Sequence, residues 1–370
     1  MLLLTGATGF LGSRLCAELL RRTHRDIACL VRADSAEDAE RRVRARLQRQ
    51  DSDVASYGLL RCVPGDFTRP FFGLAAGAWR QLGRQVTEVY HCGASVNMAA
   101  PYEYLEPVNV DGTARVLEFC QAAGVERLHH VSTLGVFLSA RRTGMRVVGE
   151  DAVPSAATCS EIGYPRSKYE AELLVLQAAA RGLAVRLYRP GVVLADSRSG
   201  ACPTDDFTAR LLAAMVASGV FPRTGNVLRT VAADHAAQQI AALSLAADAD
   251  GVAFPVTGPE PFPTTEFWHQ ARSFGYRIQA TTPVGWSAAL KAQGPRRPAL
   301  AMRALGISRY LLGLDEDAVL PDFGCEPTTR LAADLGVVSP PMDTAYFARM
   351  FTHLIEHGVI HGPLSDGESP

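Results

Sequence analysis

Tyr164 and Lys168 stand four apart in Tyr-Pro-Arg-Ser-Lys, a spacing that puts both side chains on one helix face. An ammonium beside a phenol favours the phenolate. The pair therefore predicts a Tyr164 pKa drawn down towards working pH and a proton that moves in a reaction. Lysine is scarce here: of 37 basic residues 35 are Arg, and only Lys168 and Lys291 are Lys. A guanidinium is bulkier and spreads its charge, so Arg does not replace Lys readily beside a phenol. Lys291 has no such neighbour and reads as a surface residue.

A second chemical signal opens the chain. The apolar run Leu2–Leu4 leads into Thr5-Gly-Ala-Thr-Gly-Phe-Leu-Gly12, followed by a helical pattern. Gly6 permits a tight turn and Gly9 lets backbone approach a pyrophosphate. Gly12 lets the helix pack on the strand, and free N–H groups at the helix start face the anion. The glycine spacing is weak alone; the strand–loop–helix context gives it weight. At the end of the next strand, where an NAD site carries a carboxylate, this sequence has Arg32. A guanidinium suits a ribose 2′-phosphate and predicts NADPH, with Asp34 nearby as the competing signal. Asp66 is placed to accept from an adenine amino group, and Phe67 either flanks that ring or packs in the core. After a further strand, Ser132-Thr133 sets hydroxyls where open α/β sheets bind ligands. Thr133 is the first choice for a substrate carbonyl and Ser132 the second, with simple capping as the alternative.

These groups need a scaffold, and the alternation of short apolar runs with longer amphipathic ones supplies it. Strands are expected at Leu2–Leu4, Ile27–Val31, Leu60–Val63, Glu88–His91, Arg127–Ser132, Ala184–Tyr188 and Val252–Val256. Helices are expected at Leu11–Arg22, Ala36–Gln50, Ala75–Leu82, Glu106–Gly124, Tyr164–Arg181, Thr204–Gly219 and Asp234–Ala247. Further helices are expected at Thr264–Phe274, Gly285–Gln293, Ala299–Leu312, Thr328–Gly336 and Met342–His357, with a connection at Gln293–Pro298. The pattern predicts an α/β fold: a Rossmann-type doubly wound parallel sheet with a smaller, mainly helical C-terminal substrate-binding portion. The nucleotide domain is expected at 1–195, with 222–258 returning to it. The helical portion is expected at 196–221 and 259–361, with a disordered tail at 362–370. The Arg-rich stretch Glu37–Arg49 carries the i,i+4 pairs Glu37/Arg41, Asp38/Arg42 and Glu40/Arg44, which read as a solvated helix face.

Composition narrows the partners. The 370 residues are 48% hydrophobic and carry a formal charge of −1, which argues against nucleic acid or an anionic membrane as main partner. No apolar run approaches a membrane span, and the four apolar residues before Thr5 are too few for a signal peptide. The eight Cys form no CxxC and no cluster of zinc spacing, so no metal site is expected. They read as reduced, mostly buried thiols of a cytoplasmic protein.

Taken together, the glycine loop, the post-strand Thr133 and Tyr164-x-x-x-Lys168 resemble the extended branch of the short-chain dehydrogenase/reductase superfamily. A narrower match lies in His91-Cys-Gly-Ala-Ser-Val-Asn97, Pro101-Tyr102, Asn109-Val-Asp-Gly-Thr113, Gly163 to Glu172 and Tyr188-Arg-Pro-Gly191. These look like the thioester reductase domains of nonribosomal peptide and polyketide assembly lines and of carboxylic acid reductases. The match is specific through about residue 235. Such domains generally carry a lead of tens of residues before the first strand, and this chain begins on that strand.

The resemblance implies that Gly6, Thr8, Gly9, Phe10, Leu11 and Arg32 hold the adenosine phosphates, with Gly12 completing the loop. It implies Asp66 and Phe67 at adenine, Gly93, Ala94 and Asn97 near the ribose groups, and Asn109 supporting the site. Pro190, Gly191 and Val192 would flank the nicotinamide, whose ribose Lys168 would hold. The implied reaction is NADPH-dependent reduction of an acyl or peptidyl thioester, delivered on the phosphopantetheine arm of a carrier protein. It releases an aldehyde, and a second hydride gives an alcohol. Thr133, Tyr164 and Lys168 would be catalytic, and Phe207 and Met215 would line the acyl channel unless they are core. Two other readings compete: an extended-family reductase, epimerase or dehydratase acting on a free aldehyde or sugar nucleotide, and a non-catalytic NADP-binding sensor. The latter often lacks the Tyr/Lys pair present here.

Overall fold

A computed structural model describes residues 1–50, 57–247, 251–293 and 320–363. The expected connection at Gln293–Pro298, beyond its first residue, and the expected helix Ala299–Leu312 lie outside the described residues, as do 364–370 of the expected tail.

Seven strands make the central sheet: β1 (Leu2–Thr5), β2 (Ile27–Val31), β3 (Leu60–Pro64), β4 (Glu88–His91), β5 (Arg127–Val131), β6 (Ala184–Pro190) and β7 (Ala253–Val256). Their spatial order is β3-β2-β1-β4-β5-β6-β7, and every pairing is parallel. Parallel neighbours need a crossover, and helices supply it: α1 (Phe10–Thr23), α2 (Ala36–Gln48), α3 (Ala76–Gly83), α4 (Tyr102–Asn109), α5 (Asp111–Ala123) and α6 (Gly163–Ala180). The chain first builds outward from β1 through β2 to β3, then returns to β4 on the other side. That reversal opens a crevice at the C-terminal ends of β1 and β4, where open sheets bind ligands.

Burial follows from helices covering both faces, so the strands read as continuous apolar runs. Alternate residues go to opposite sides. Leu2, Leu4, Ile27, Cys29, Tyr90 and Tyr188 pack with Leu15 and Leu19 of α1 and with Ile240 of α8 (Ala233–Leu245). Leu3, Ala28, Leu30, Val89, Leu128 and Leu187 pack with Phe119 of α5 and Val175 of α6.

A third core belongs to the later part of the chain. Leu211, Leu212 and Met215 of α7 (Phe207–Ser218) meet Phe267 of α9 (Thr265–Ser273) and Trp286 of α10 (Pro283–Gln293). Phe347 and Phe351 close it. They lie on α12 (Thr344–Glu356), which follows α11 (Glu326–Asp334). Met215, expected near the acyl channel, is fully buried in this core.

Two expectations need correcting. The single helix Glu106–Gly124 is two, α4 and α5, parted at Val110. Pro107 inside α4 removes one N–H from its ladder. The mainly helical portion also takes part in three short strand pairs: Val147–Val148 with Asp322–Phe323, Val220–Pro222 with Gln279–Thr281, and Val227–Leu228 with Phe262–Pro263; a fourth, Val192–Leu194 with Thr230–Ala232, joins two stretches expected in the nucleotide domain. Pieces of two or three residues show no periodicity for a sequence to reveal.

The glycine loop takes its shape from two positions. Gly6 has φ +80°, and a Cβ there would lie 2.7 Å from the Gly93 nitrogen. At Gly12 a Cβ would lie 2.2 Å from the Gly6 carbonyl oxygen, so α1 sits on the loop as closely as backbone allows. Gly12→Ala is expected to cost about 1–3 kcal/mol, as overpacking at a rigid contact does. Urea unfolding measures it; an unchanged midpoint would refute the close-approach reading.

Candidate active site

A cavity of about 580 Å³ runs from the glycine loop across the sheet's C-terminal edge to α7. At one end lie Gly6, Thr8, Gly9, Phe10, Leu11 and Gly12. Gly9 caps α1 without a side-chain hydrogen bond, and no acidic residue stands in the first turn. The free N–H groups of that turn therefore face the cavity as an anion cradle. This backbone fits a dinucleotide pyrophosphate, since its N–H groups have no side-chain cap and no acidic neighbour, and Gly6 lies too close to the Cys92–Gly93 backbone for any side chain.

Arg32 lines the same end, and Asp34 does not. A second guanidinium, Arg42 of α2, lines the cavity beside it and donates to the Arg32 carbonyl. Arg42 also meets Asp38 at 3.3 Å, as the helix spacing foretold. Its second role could not be read from sequence because α2 meets the β2 end only in the folded chain. Asp66 lines the wall, with Oδ1 accepting from the Thr68 N–H at 2.9 Å and the Thr68 hydroxyl at 2.8 Å. The Phe67 ring is wedged between Gly93 and Gly112, where either added Cβ would come within 2.6 Å of it. It meets the His91 ring edge-on at 5.2 Å, so it both packs and borders the cavity.

Gly93, Ala94 and Asn97 form the next part of the wall. Asn109 does not reach the cavity; it is 1% exposed and works behind the wall. Its Oδ1 accepts from the Ser95 N–H at 2.7 Å, while Nδ2 donates to the Ser95 carbonyl at 3.0 Å and to Ser167 Oγ at 2.9 Å. Asn109 thus ties the loop after β4 to α6.

Thr133, Tyr164 and Lys168 all line the cavity. Thr133 caps a short 3₁₀ turn, Leu134–Phe137, its Oγ1 accepting from the Gly135 N–H at 3.0 Å. Its own proton has only a long contact, 3.5 Å, to the Pro190 carbonyl. Tyr164 enters at the start of α6. A Cβ on the preceding Gly163 would lie 2.4 Å from the Ala100 carbonyl, so that helix end is pressed against the start of α4.

Burial pushes the Tyr164 phenol up, not down, with Cys92 adding to the rise. The sequence-based expectation of a lowered phenol is therefore corrected: removal from water raises it. Lys168 is 2% exposed, and burial lowers it to about 8, opposed by attraction to Cys92 and Glu172.

Ser132 borders the cavity but its hydroxyl donates to Glu172 Oε2 at 2.6 Å. Glu172 Oε1 accepts from Arg189 at 2.6 Å, and both side chains are almost wholly buried. Ser132 thus serves a structural ion pair, which corrects its place as a substrate contact. Pro190, Gly191 and Val192 line the centre of the cavity. The outer wall holds Leu138, Phe207, Leu228, Leu320 and Phe323, with Asp206 and Arg229 among them. Phe207 sits at the N-terminus of α7, capped by Asp206, whose carboxylate accepts from the Ala209 N–H at 2.8 Å. Burial raises the Asp206 carboxyl to about 6. Leu138, Leu228 and Leu320 of this outer wall had no sequence signal, because each stands in a loop, a turn end or a two-residue strand.

His353 and Glu356 on α12 and His357 just after it come together closely enough to hold a metal ion, which the Cys/His spacing had not suggested; none lines the cavity. All eight cysteines are free thiols, five of them buried. Among the described residues no helix is long and apolar enough to cross a membrane.

Sheet order, glycine loop and the Tyr/Lys helix define a dinucleotide-binding fold of the extended short-chain dehydrogenase/reductase type. Residues 4–240 match the NAD-binding family model described as "Male sterility protein". A linear gramicidin synthase subunit of Brevibacillus parabrevis is 30% identical over 357 residues, 96% of this chain and 7% of that protein. The L-2-aminoadipate reductase large subunit of Penicillium chrysogenum is 32% identical over 302 residues, 78% of this chain and 21% of that protein. The terminal R domain from the myxalamid PKS-NRPS biosynthetic pathway superposes with a TM-score of 0.89 at 30% identity, covering 98% of this chain and 92% of that one. The chain belongs to this family of NAD(P)-binding terminal reductase domains. It spans 21% or less of the length of those two much longer enzymes.

The buried Lys168 has a consequence for stability. Its folded pKa, about 8, lies below the ordinary lysine value of 10.5. Between these values the unfolded chain binds more protons, so stability rises with pH across that window. Below about pH 8 the burial penalty is felt in full, roughly 3 kcal/mol. Lys168→Met is expected to be more stable than the parent at pH 7, with the difference closing above about pH 10.5. Thermal unfolding across pH checks this; a variant less stable at pH 7 would contradict it.

Proposed function

We propose that this chain is an NADPH-dependent reductase of acyl or peptidyl thioesters, presented on the phosphopantetheine arm of a carrier protein. The reading rests above all on one observation: Thr133, Tyr164 and Lys168 open onto the same cavity as the glycine loop. The likeness to the gramicidin synthase and to the myxalamid reductase domain supports it. So does the apolar outer wall, which suits an acyl chain. We read Gly6 to Gly12 as the pyrophosphate cradle, Arg32 and Arg42 as the 2′-phosphate clamp, and Asp66 and Phe67 as the adenine border. Gly93, Ala94 and Asn97 take the ribose side, and Pro190, Gly191 and Val192 the nicotinamide side. We read the Rossmann unit as 1–195 with 222–258, and the rest of the described chain as the substrate portion.

Bound NADPH supplies a hydride to the thioester carbon. Thr133 aims its weakly engaged hydroxyl proton at the carbonyl oxygen, and Tyr164 Oη donates beside it, so charge growing on that oxygen meets two fixed donors. Tyr164 then passes its proton to the oxygen. Its raised pKa keeps the phenol protonated beforehand, as a reduction requires. The Lys168 ammonium stabilises the phenolate left behind and holds the nicotinamide ribose. Collapse of the thiohemiacetal breaks the C–S bond and leaves an aldehyde and a thiol. A second round gives the alcohol.

Tyr164→Phe is expected to lower turnover by roughly 10²–10⁴-fold and to leave NADPH affinity unchanged; full turnover would sink the assignment. Arg32→Ala is expected to weaken NADPH by about ten- to a hundredfold while sparing NADH, read by fluorescence titration with both cofactors. Mass spectrometry of products from a panel of acyl thioesters with NADPH tests the reaction itself. Reduction of free aldehydes with no thioester reduced would favour the aldehyde reading.

A further inference from the structure

Neighbouring residues of a strand face opposite sides of the sheet, and β5 carries two histidines in a row. His129 turns to the side of α1 and α8, with Nδ1 3.0 Å from Tyr188 Oη and Nε2 3.1 Å from Glu88 Oε2. His130 turns to the α6 side, and its Nε2 lies 3.2 Å from Lys168 Nζ. Both members of that contact are buried. An ammonium only donates, so Nε2 must carry the lone pair and the ring proton must sit on Nδ1. That Nδ1 is buried with no hydrogen-bond partner. An apolar ring would fill the same space without leaving a donor unpaired, so packing alone gives no reason for a histidine here.

The other groups facing Lys168 do not supply this contact. The His91 ring, 5.3 Å from that of His130, has both nitrogens engaged, by Thr5 Oγ1 at 2.7 Å and Thr113 Oγ1 at 3.1 Å. Thr113 spends its proton on the Asn109 carbonyl, so His91 Nε2 donates to it and Nδ1 accepts from Thr5. The Cys92 thiol is pushed up to about 12 by burial and stays protonated. Glu172, one turn along α6, has its oxygens on Ser132 and Arg189, whose own charge it neutralises. Tyr164 is a protonated phenol. Among the described residues His130 makes the one hydrogen bond to Lys168 Nζ. Burial, then Lys168 and His91, push the His130 pKa well below its ordinary value, so the acceptor stays available.

We propose that His130 is a positioning residue for the reaction: by accepting from Lys168 through Nε2 it keeps the ammonium charged and aimed at the Tyr164 side of the cavity. The proposal rests on the reductase reading for its purpose, but its physical content is tested apart from turnover. The scarcity of lysine makes this direct. A chain carrying ¹³Cε-lysine gives two signals, Lys168 and Lys291, told apart by Lys291→Arg.

In the parent the Lys168 signal is expected to titrate near 8. In His130→Phe the midpoint is expected to fall by roughly one pH unit, because the acceptor favouring the charged form is gone. In His130→Gln, whose side-chain carbonyl accepts, it is expected to return. The alkaline limb of kcat is expected to move with the midpoint, while KM for the thioester stays. A midpoint unmoved in His130→Phe, in protein with an unchanged unfolding curve, overturns the proposal. A parent Lys168 that titrates at the ordinary lysine value overturns it too. Should the Phe variant not fold, His130→Leu is read in the same way. A parent that binds NADPH but reduces no thioester overturns the reductase reading; the NMR midpoint still decides the role of His130.

Discussion

The interior of this protein holds an ammonium group that water has largely left. Lys168 is buried at the cavity wall, and the fold around it is arranged to tolerate that charge without cancelling it. A carboxylate in direct contact would neutralise it and tie it down. The nearest one, Glu172, is held off by Ser132 and by Arg189. A partner that only accepts, the His130 lone pair, meets the ammonium without a countercharge. The cost falls on stability, in line with the usual strain of a site kept ready for chemistry.

The rest of the scaffold fixes the surroundings of that charge. β4, β5 and β6 end side by side and deliver Cys92, Ser132 with Thr133, and Pro190 to one edge. α6 is pressed onto α4 at Gly163, tied to the loop after β4 through Ser167 and Asn109, and anchored to β6 by the Glu172–Arg189 pair. A buried pair of this kind is weak evidence for stability, since desolvation offsets its attraction. Its effect here is one of position, because α6, β6 and the turn after β5 meet at it. On the far side Arg14 of α1 reaches Asp196 at 3.0 Å, joining the glycine-loop helix to the segment that leads into α7. The glycine-loop end and the outer end of the cavity are thereby held in one frame.

Much of this was legible in advance. Strand and helix periods placed all seven sheet strands, because strands covered by helices on both faces are rich in apolar residues even where polar ones interrupt them. Tyr164, Lys168 and the glycine loop were legible because their spacing is itself the geometry, through a helix turn in one case and a strand–turn–helix in the other. The place of Arg32 at the cavity was legible because it directly follows a strand. Asn109 was read as a support without the Ser95 and Ser167 contacts that make it one, and Ser132 as the second choice for a substrate, whereas its hydroxyl holds Glu172. In both, residue type was right for a polar site, but the partner came from an element distant in sequence. Met215 fell into the core because the direction of a helix face depends on what packs against it.

The sequence by itself determined the fold class, the pyrophosphate loop and the phenol–ammonium pair, because these depend on local periodicity and on spacing within one turn. Only the tertiary structure decided the protonation of that pair. Whether a phenol rises or falls depends on how much water and which charges surround it, and those are set by chain segments far apart in sequence. The same holds for Arg42 beside Arg32, for the apolar outer wall built from short strands and loops, and for His130 beneath Lys168. Strand alternation permits that last contact, and the packing of α6 on β5 completes it.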